Sequence, residues 1–313
     1  MESVLYILTG YSAVGKTRFS LEWAKANNAE LISCDSLLFY EHMDIGTAKP
    51  TKEEMAEVPH HLINVVPPSR QYSIGEYLKA VKSTVTDIRS RGKQVLVVGG
   101  SGFYLNSFFA PVVDGLDLDP VERRHIESLF EGQTLEKSVD MLRQLNPDGL
   151  GELDIHNPRR VLKAWLRCAA SGNTLVRLKD DFVNKPGEFD SFEKRVLILS
   201  RHQAELNERI RLRVDAMIAA GLLDEVKCLL RLGILENPSA ASSIGYRESI
   251  ACLQGKLPEA ELADAISLNT RKLVKKQRTW FKKFLPREAQ LDVSSLEELP
   301  DNWHAVAARN SGS

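Results

Sequence analysis

Residues 9–17 of the chain read TGYSAVGKT and overlap the end of the apolar run SVLYILTG. Gly10, Gly15, Lys16 and Thr17 complete the pattern G-x-x-x-x-G-K-[ST], and the helical stretch TRFSLEWAKA begins at its last residue. Between a strand and a helix, this pattern predicts a loop whose backbone N–H groups and helix N-terminus surround phosphate oxygens. Lys16 would neutralise a terminal phosphate, and Thr17 would hold Mg²⁺. The pattern predicts a di- or triphosphate ligand without identifying it.

The composition is ordinary for a globular protein of 313 residues, with 43% hydrophobic and 27% charged residues. The formal net charge of −1 does not indicate nucleic-acid binding. The charge is nevertheless unevenly distributed, because residues 271–287, RKLVKKQRTWFKKFLPR, contain eight Lys or Arg and no acidic residue. A basic run is as often a solvated helix face, but aromatic side chains interleave with these charges, which favours an RNA or phosphate surface.

The cysteines and the N-terminus indicate the compartment. The four cysteines are scattered and form no C-x-x-C pair, which argues for a reducing compartment and against a zinc ribbon. No apolar run reaches the length of about 18 residues that a membrane span needs. The start of the chain, MESVLYILTG, lacks a basic leader and is interpreted as a buried strand. We therefore expect a cytoplasmic protein that contacts no membrane.

Short β-rich runs alternate with helical patterns: SVLYILTG, AELISCDS, HLINVV, KQVLVVGG and RVLILS. The clearest helical pattern covers residues 73–92, where Ser73 and Glu76 form a capping box and Gly92 ends the helix. Its predicted apolar face comprises Ile74, Tyr77, Leu78, Val81, Val85 and Ile88. Apolar strands separated by helices predict an α/β fold, a P-loop NTPase-like parallel sheet flanked by helices.

The strand signal disappears between residues 113 and 190, which we interpret as a helical insertion domain. Three helical patterns occur there: DPVERRHIESLF, TLEKSVDMLRQL and NPRRVLKAWLRCAASG. Residues 1–112 and 191–290 would then form one discontinuous catalytic core. Residues 291–313 are expected to form a C-terminal tail whose end, ARNSGS, is frayed.

Asp35 is the candidate acidic partner of the phosphate loop. A P-loop enzyme needs a second carboxylate that ends a hydrophobic strand, to hold Mg²⁺ or to steer the attacking group. The run VLVVGG ends in Gly99-Gly100, whereas AELISCDS closes on Asp35. Because parallel strands end at the same edge of a sheet, Asp35 is expected to face the phosphate loop. A helix N-cap or an indirect role near Mg²⁺ is the alternative.

Several stretches together resemble one family. They are GYSAVGKT, AELISCDSLLFYEHMDIGTAKPT, VPHHLINVVPP, QYSIGEY, VLVVGGSGFYLNSFF, ELNERIRLRVDAMIAAGLLDEV, SIGYRES and TRKLVKKQRTWFKK. Their order resembles that of the tRNA dimethylallyltransferases, also called tRNA isopentenyltransferases, over nearly the whole chain to about residue 285. The block around MDIGTAKP is much more specific than the phosphate loop. Between 113 and 190 only DPVERRHIE and IHNPRRVLKA are similar.

The resemblance implies transfer of a dimethylallyl group from dimethylallyl diphosphate to N6 of the adenosine immediately 3′ of the tRNA anticodon. The phosphate loop would hold the diphosphate leaving group rather than the phosphates of ATP, with Mg²⁺ at Thr17. The implied diphosphate site comprises Gly10, Tyr11, Ser12, Ala13, Val14, Gly15, Lys16 and Thr17.

Two residues match the family's catalytic positions, and a third stands at one of them with a different residue type. An exocyclic adenine amine is a poor nucleophile because its lone pair is delocalised into the ring, and Asp35 matches the general base that accepts its proton. Arg213 matches the phosphate-side arginine, which stabilises charge on the departing diphosphate. The alternative for Arg213 is a surface ion pair with Glu208 or Asp215. Ser101 follows VGG where the family usually has Thr, and its hydroxyl would touch the target nucleotide.

The resemblance also implies contacts with the tRNA anticodon stem-loop, some of them from the helical insertion. A base in a single-stranded loop can be splayed out into a pocket, whereas a duplex base cannot. For each basic residue a solvated surface role is the alternative. The implied tRNA-binding residues are Asp35, Ser36, Leu37, Leu38, Ser101, Arg123, Arg159, Arg160, Val161, Leu162, Lys163, Ser242, Ser243, Ile244, Gly245, Tyr246, Arg247, Lys275, Lys276, Gln277, Arg278, Thr279, Trp280, Phe281 and Lys282.

Two other functions use the same features. A small-molecule or nucleotide kinase shares the phosphate loop, Mg²⁺ and the parallel sheet, and Asp35 would activate a hydroxyl, but the basic C-terminal helix and the MDIGTAKP block are then unexplained. A non-catalytic RNA-binding protein with a vestigial loop is the third hypothesis, and intact Lys16, Thr17 and Asp35 argue against it. We expect a monomer.

Overall fold

The computed structural model describes residues 3–112, 119–296 and 303–306, which divide into two compact units. The first unit contains the described residues up to Phe109 and from Phe189 onward, and the second extends from Ala110 to Glu188. Across these described ranges, no helix combines the length and the apolar character that crossing a bilayer requires.

A largely parallel sheet forms the centre of the first unit. Its strands are β1 (Val4–Gly10), β2 (Ala29–Ser33), β3 (His60–His61), β4 (Gln94–Val98), β5 (Glu193–Ser200), β6 (Gln290–Asp292) and β7 (His304–Val306). Their order in the described residues is β3-β2-β4-β1-β5-β6, and β7 pairs antiparallel with β5. This sheet, with its flanking helices, confirms the predicted α/β fold class.

Helices connect the strands and also build the second unit. The first unit contains α1 (Lys16–Ala26), α2 (Lys52–Glu57), α3 (Ile74–Ser90) and α4 (Gly102–Asn106). The second contains α5 (Pro120–Phe130), α6 (Leu135–Leu145), α7 (Pro158–Ser171) and α8 (Leu175–Val183). The chain then returns to the first unit with α9 (Gln203–Ala219), α10 (Leu222–Arg231), α11 (Pro238–Ala241), α12 (Tyr246–Leu253) and α13 (Leu262–Phe284).

The central strands are buried because helices cover the sheet. Leu5, Ile7 and Leu8 of β1 have no exposed surface. Ile7 lies opposite Val97 in β4 and Val196 in β5, and all three strands run in the same direction. Their carboxyl ends therefore meet at one edge of the sheet, and the phosphate loop leaves β1 at that edge.

Helix α3 has the features that its sequence predicts. The Ser73 hydroxyl accepts a hydrogen bond from the Glu76 N–H, and the Glu76 carboxylate accepts one from the Ser73 N–H, which confirms the capping box. Ile74 is half-buried, and the rest of the predicted apolar face is buried: Tyr77, Leu78, Val81, Val85 and Ile88.

The second unit has one more helix than the sequence predicts. The three predicted helices correspond to α5, α6 and α7, and α8 follows them with the Thr174 hydroxyl accepting from the Arg177 N–H at its start. These helices enclose a small core of their own, made of Val139, Leu142, Val161, Ala164, Cys168 and Leu178. The amphipathic pattern of α8 is short, which is why the sequence alone did not reveal it.

Two expectations about strands differ from the structure. Of the run HLINVV, residues 61–66, only His61 belongs to a strand, at the end of His60–His61, because Leu62 and Asn64 have φ values of 61° and 54°, outside the β region. The sequence predicts a tail from residue 291, yet Gln290–Asp292 and His304–Val306 are strands that pair with β5. The predicted fraying of ARNSGS concerns residues that lie outside the described ranges.

Candidate active site

The phosphate loop links β1 to α1 through left-handed backbone. Ala13 has a φ of 63° and Gly15, which caps α1, has a φ of 107°. Gly15 adopts this conformation without steric cost, because it lacks a Cβ. The loop thereby turns onto the N-terminus of α1 and presents that end of the helix, with its partial positive charge, to a cavity.

Lys16 lies folded against its own loop. Its Nζ donates hydrogen bonds of 3.0 Å to the carbonyl oxygens of Gly10 and Tyr11. Desolvation lowers the pKa of Lys16 to about 8; the nearby Asp35 carboxylate opposes this shift, and the positive Arg213 adds to it. A cation held with little water is well suited to bind a phosphate.

Asp35 lies just beyond the end of β2, at the edge of the sheet where it was expected. Its Oδ1 accepts a hydrogen bond of 3.0 Å from the Leu37 N–H, which fixes the carboxylate at the start of the following turn. The neighbouring Gly99 must be glycine, because a Cβ there would lie 2.0 Å from the Cys34 carbonyl oxygen. This close approach holds the turn after β4 directly beside the segment that carries Asp35.

Arg213 projects from α9 toward the same region. Its Nη2 donates a hydrogen bond of 2.9 Å to the Thr47 carbonyl oxygen. Burial lowers the pKa of the guanidinium, and Asp35 acts in the opposite direction. The alternative of a surface ion pair does not hold for Arg213, because Glu208 and Asp215 both pair with Arg211 instead.

Arg213 borders three cavities that also reach the phosphate loop or Asp35. The first, of about 340 Å³, is bordered by Asp35, Ser101 and the segment 242–245. The second, of about 330 Å³, is bordered by residues 13–17 of the loop. The third, of about 120 Å³, is bordered by Lys16, Thr17 and Asp35. Because Lys16, Thr17 and Asp35 border the third cavity together, the phosphate loop and Asp35 face one common space.

Ser101 and Gln277 complete the wall of the first cavity. Ser101 is the N-cap residue of α4, but its hydroxyl makes no capping hydrogen bond and is available to a ligand. Gln277 of α13 accepts from the Ser12 N–H at 3.0 Å and donates to the Gly100 carbonyl oxygen at 3.0 Å. The Gln277 side chain therefore joins the phosphate loop to the turn after β4, which differs from the simple RNA contact expected from sequence.

Replacing Gln277 with alanine is expected to lower the free energy of unfolding by about 1–3 kcal/mol, because the Ser12 N–H and the Gly100 carbonyl both lose their partner. Chemical denaturation measures this change. Gln254→Ala is the matched control, since the exposed Gln254 side chain only accepts a hydrogen bond from Lys256. Equal stability of the two variants would show that the Gln277 bridge contributes nothing.

Some of the remaining tRNA-binding candidates lie on the surface, and others border the cavities. Four of them are exposed: Arg159, Lys163, Ser242 and Lys282. Four others border an open groove on α13: Lys275, Lys276, Thr279 and Trp280. Lys272, Lys283 and Phe284 complete that groove. Five others border the first cavity: Ser36, Leu37, Ser243, Ile244 and Gly245. Leu38 borders the third cavity, and Leu162 is half-buried.

Several other candidates are engaged with the protein itself. Val161, Tyr246 and Phe281 are buried, so the expectation that they contact tRNA is not supported by their position. The Arg278 guanidinium lies 5.4 Å from the centre of the Tyr11 ring. Three further arginines form ion pairs with neighbouring acids: Arg123 with Glu127, Arg160 with Asp154 and Arg247 with Glu248.

The donors beside the loop fit Mg²⁺ only in company with a phosphate. Thr17, Asp35 and Ser33 border the third cavity, and the buried Ser33 hydroxyl has no hydrogen-bond partner. Within residues 3–112, 119–296 and 303–306, no cluster of three or more His, Cys, Asp or Glu side chains is arranged to enclose a metal ion. Mg²⁺ commonly binds through one or two protein oxygens, waters and substrate phosphates, and this donor set matches that mode.

The sequence does not predict two contributions to the site. One is the Thr47 carbonyl oxygen, which accepts a hydrogen bond from Arg213. The other is the Glu225 carboxylate, which accepts hydrogen bonds from the backbone N–H groups of residues 44–46. Both involve backbone groups, which leave no signature in residue types.

Comparisons with known proteins agree with this geometry. A family model described as IPP transferase matches residues 38–284. A tRNA dimethylallyltransferase from Opitutus terrae is 52% identical over 294 residues, which cover 94% of this chain and 94% of that protein. A tRNA dimethylallyltransferase from Bacillus velezensis is 38% identical over 282 residues, which cover 90% of this chain and 88% of that protein.

Solved structures give the same result. A tRNA isopentenylpyrophosphate transferase from Bacillus halodurans has a TM-score of 0.65 and 31% identity, covering 93% of this chain and 90% of its own. A eukaryotic dimethylallyltransferase acting on tRNA has a TM-score of 0.79 and 25% identity, covering 94% of this chain and 75% of its own.

Proposed function

Because the chain belongs to the IPP transferase family, we propose that its three cavities serve the transfer of a dimethylallyl group from dimethylallyl diphosphate to N6 of the adenosine 3′-adjacent to the tRNA anticodon. The chain is a prenyltransferase of tRNA, as its relatives are. The observation that carries the detailed proposal is that Lys16, Asp35 and Arg213 border one cavity. Lys16 and Arg213, which would bind the leaving group, therefore lie at the same cavity as Asp35, which would act as the base.

The phosphate loop and its cations bind the diphosphate of the donor. Lys16 and Arg213 lie beside the N-terminus of α1, so positive charge surrounds the oxygens on which negative charge develops. As the C1–O bond of the donor breaks, its electron pair leaves with the diphosphate. Ser12 would contribute through its hydroxyl, because Gln277 engages its N–H. Mg²⁺, held by Thr17 and the diphosphate oxygens, would supply further neutralisation of the leaving group.

Asp35 acts as the general base. The Leu37 N–H holds one carboxylate oxygen, and this is the hydrogen bond that the carboxylate forms within the described part of the chain. The second oxygen is free to accept a proton from the N6 amine while the N6–C1 bond forms. Ser101 lies on the same cavity and would hydrogen-bond the target nucleotide.

The target adenosine enters through the first cavity, and the rest of the anticodon stem-loop lies on the protein surface. The volume of about 340 Å³ is sufficient for a small ligand, which a flipped base resembles in size. The exposed residues of α13 would bind the phosphates of the loop. Arg159 and Lys163, exposed on α7 of the helical insertion, are proposed as further contacts.

The reaction is tested with labelled dimethylallyl diphosphate and an unmodified anticodon stem-loop, with ATP in a parallel reaction. We expect label in the RNA and a mass increase of one C5H8 unit on the adenosine. Hydrolysis of ATP without labelled RNA would overturn the proposal in favour of a kinase. The family membership supports the transferase and not the kinase alternative.

The basic groove of α13 leads to a prediction about salt. Replacing both Lys275 and Lys276 with glutamine is expected to weaken tRNA binding. It should also make the negative slope of log K against log salt shallower by about 1–2, because fewer counterions are released from the RNA when fewer phosphates are neutralised. Binding titrations at several salt concentrations measure this slope. The control replaces Lys25 and Lys227, which pair with Glu57 and Asp224. A slope equal to that of the control would remove α13 from the RNA surface.

We also propose that the protein acts as a monomer in the cytoplasm, where its tRNA substrate resides. The monomer is supported by the site itself, since one chain supplies the loop, Asp35 and Arg213. Light scattering at the concentration of the assay tests this state.

A further inference from the structure

The segment Asp44–Gly46 binds a carboxylate of the protein itself. The backbone N–H groups of Asp44, Ile45 and Gly46 donate to Glu225 of α10 at 2.9, 2.6 and 3.1 Å. Three successive N–H groups that converge on one anion form the concave arrangement that proteins otherwise use for phosphates. Hydrogen bonds to a charged acceptor are stronger than neutral ones, so Glu225 fixes this segment firmly.

Tyr246 supplies a fourth hydrogen bond to the same carboxylate. Its hydroxyl donates to Glu225 Oε1 at 2.8 Å, and its side chain is fully buried. Its ring also covers Gly46, where a Cβ would lie 2.6 Å from the ring carbon that bears the hydroxyl. The backbone at Gly46 is therefore clamped between the carboxylate and the aromatic ring.

This clamp directly precedes the contact that orients Arg213. Thr47 follows Gly46 in the chain, and its carbonyl oxygen accepts the hydrogen bond from Arg213 Nη2. A guanidinium on a long side chain has many conformations, and this carbonyl selects the one that borders all three cavities. Fixing the direction of the Thr47 carbonyl fixes the position of the guanidinium.

We propose that Glu225 is a positioning residue for prenyl transfer, which holds the Asp44–Gly46 backbone so that the Thr47 carbonyl aims Arg213 at the diphosphate. The inference rests on the proposed function, because it takes Arg213 as a diphosphate ligand. Glu225 borders none of the three cavities, so its effect on the diphosphate is expected to pass through Thr47 and Arg213.

The test uses the full chain and inorganic diphosphate as the probe. In Glu225→Gln the side-chain volume is preserved, but the charge is lost and an amide N–H₂ can face the backbone donors. We expect the Kd for diphosphate to rise about tenfold and kcat/KM for the donor to fall by at least as much. The affinity for the anticodon stem-loop is expected to stay within about twofold, because Glu225 is not part of the basic groove of α13 that is proposed to bind the RNA phosphates. Asp224→Asn is the matched control: its exposed carboxylate, one residue away, pairs with Lys227.

A double-mutant cycle separates positioning from a general effect on stability. If Glu225 acts through Arg213, Glu225→Gln has no further effect on diphosphate affinity in an Arg213→Ala background. Additive losses, or an unchanged Kd in the single variant, would overturn the inference. Tyr246→Phe removes one hydrogen bond without removing the ring and should give a smaller loss in the same direction, which keeps the test available if Glu225→Gln folds poorly. Failure of the unaltered protein to bind diphosphate would instead contradict the proposed function.

Discussion

Replacement of Asp35 with asparagine is expected to reduce turnover by about 10²- to 10⁴-fold, which is the contribution that a general base commonly makes. Asparagine keeps the shape of the side chain and can still accept the hydrogen bond from the Leu37 N–H, so the turn after β2 is preserved. What is lost is the carboxylate oxygen that we propose accepts the N6 proton. Because a base acts in the transition state, the affinity for the anticodon stem-loop should change little.

Single-turnover rates at saturating donor and RNA isolate the chemical step in this variant. Asp215→Asn is the control, because it removes an exposed carboxylate of α9 that pairs with Arg211. The control should keep the rate of the unaltered protein. A rate for Asp35→Asn within about tenfold of that value would assign the proton to another acceptor.

Replacement of Lys16 with methionine is expected to lower turnover by about 10²- to 10³-fold, the cost of removing one preorganised group that stabilises developing charge. Methionine has a similar length, so the variant removes charge and hydrogen bonds with little change in volume. The loss should occur in both diphosphate affinity and the chemical step, because the negative charge exists in the product and grows during the reaction.

Calorimetric titration with inorganic diphosphate measures the binding part of this loss. Lys25→Met is the control, since Lys25 forms an exposed ion pair with Glu57. If Lys16→Met bound diphosphate as tightly as the control does, the glycine loop would not be the diphosphate site.

The parts of the site that sequence predicts are those that local chemistry determines. Gly15 and Lys16 belong to a short loop whose shape follows from backbone conformations within it, so a pattern of residue types is sufficient. The location of Asp35 follows from one general rule, since parallel strands end at a common edge. The buried face of α3 likewise follows from a 3.6-residue period.

The parts that sequence did not predict depend on groups that are distant in the chain or lie in the backbone. Glu225 binds N–H groups about 180 positions away, and Gln277 reaches Ser12 across 265 positions. Strand β6 has only three residues, so its place beside β5 comes from packing rather than from its own propensity. The break in HLINVV arises from left-handed residues that are not glycine, which no composition rule reveals.

Helix α13 contacts the phosphate loop on one side and exposes basic residues on the other. Toward the interior, Gln277 bonds to the phosphate loop and Phe281 lies 5.7 Å from the Tyr11 ring, while Lys275 and Lys276 face outward. Lys275, Lys276 and Gln277 lie within one turn of α13, so both sides share the same short stretch of backbone. If RNA bound to the outer side changes the affinity of the loop for pyrophosphate by some factor, pyrophosphate must change the affinity for RNA by the same factor.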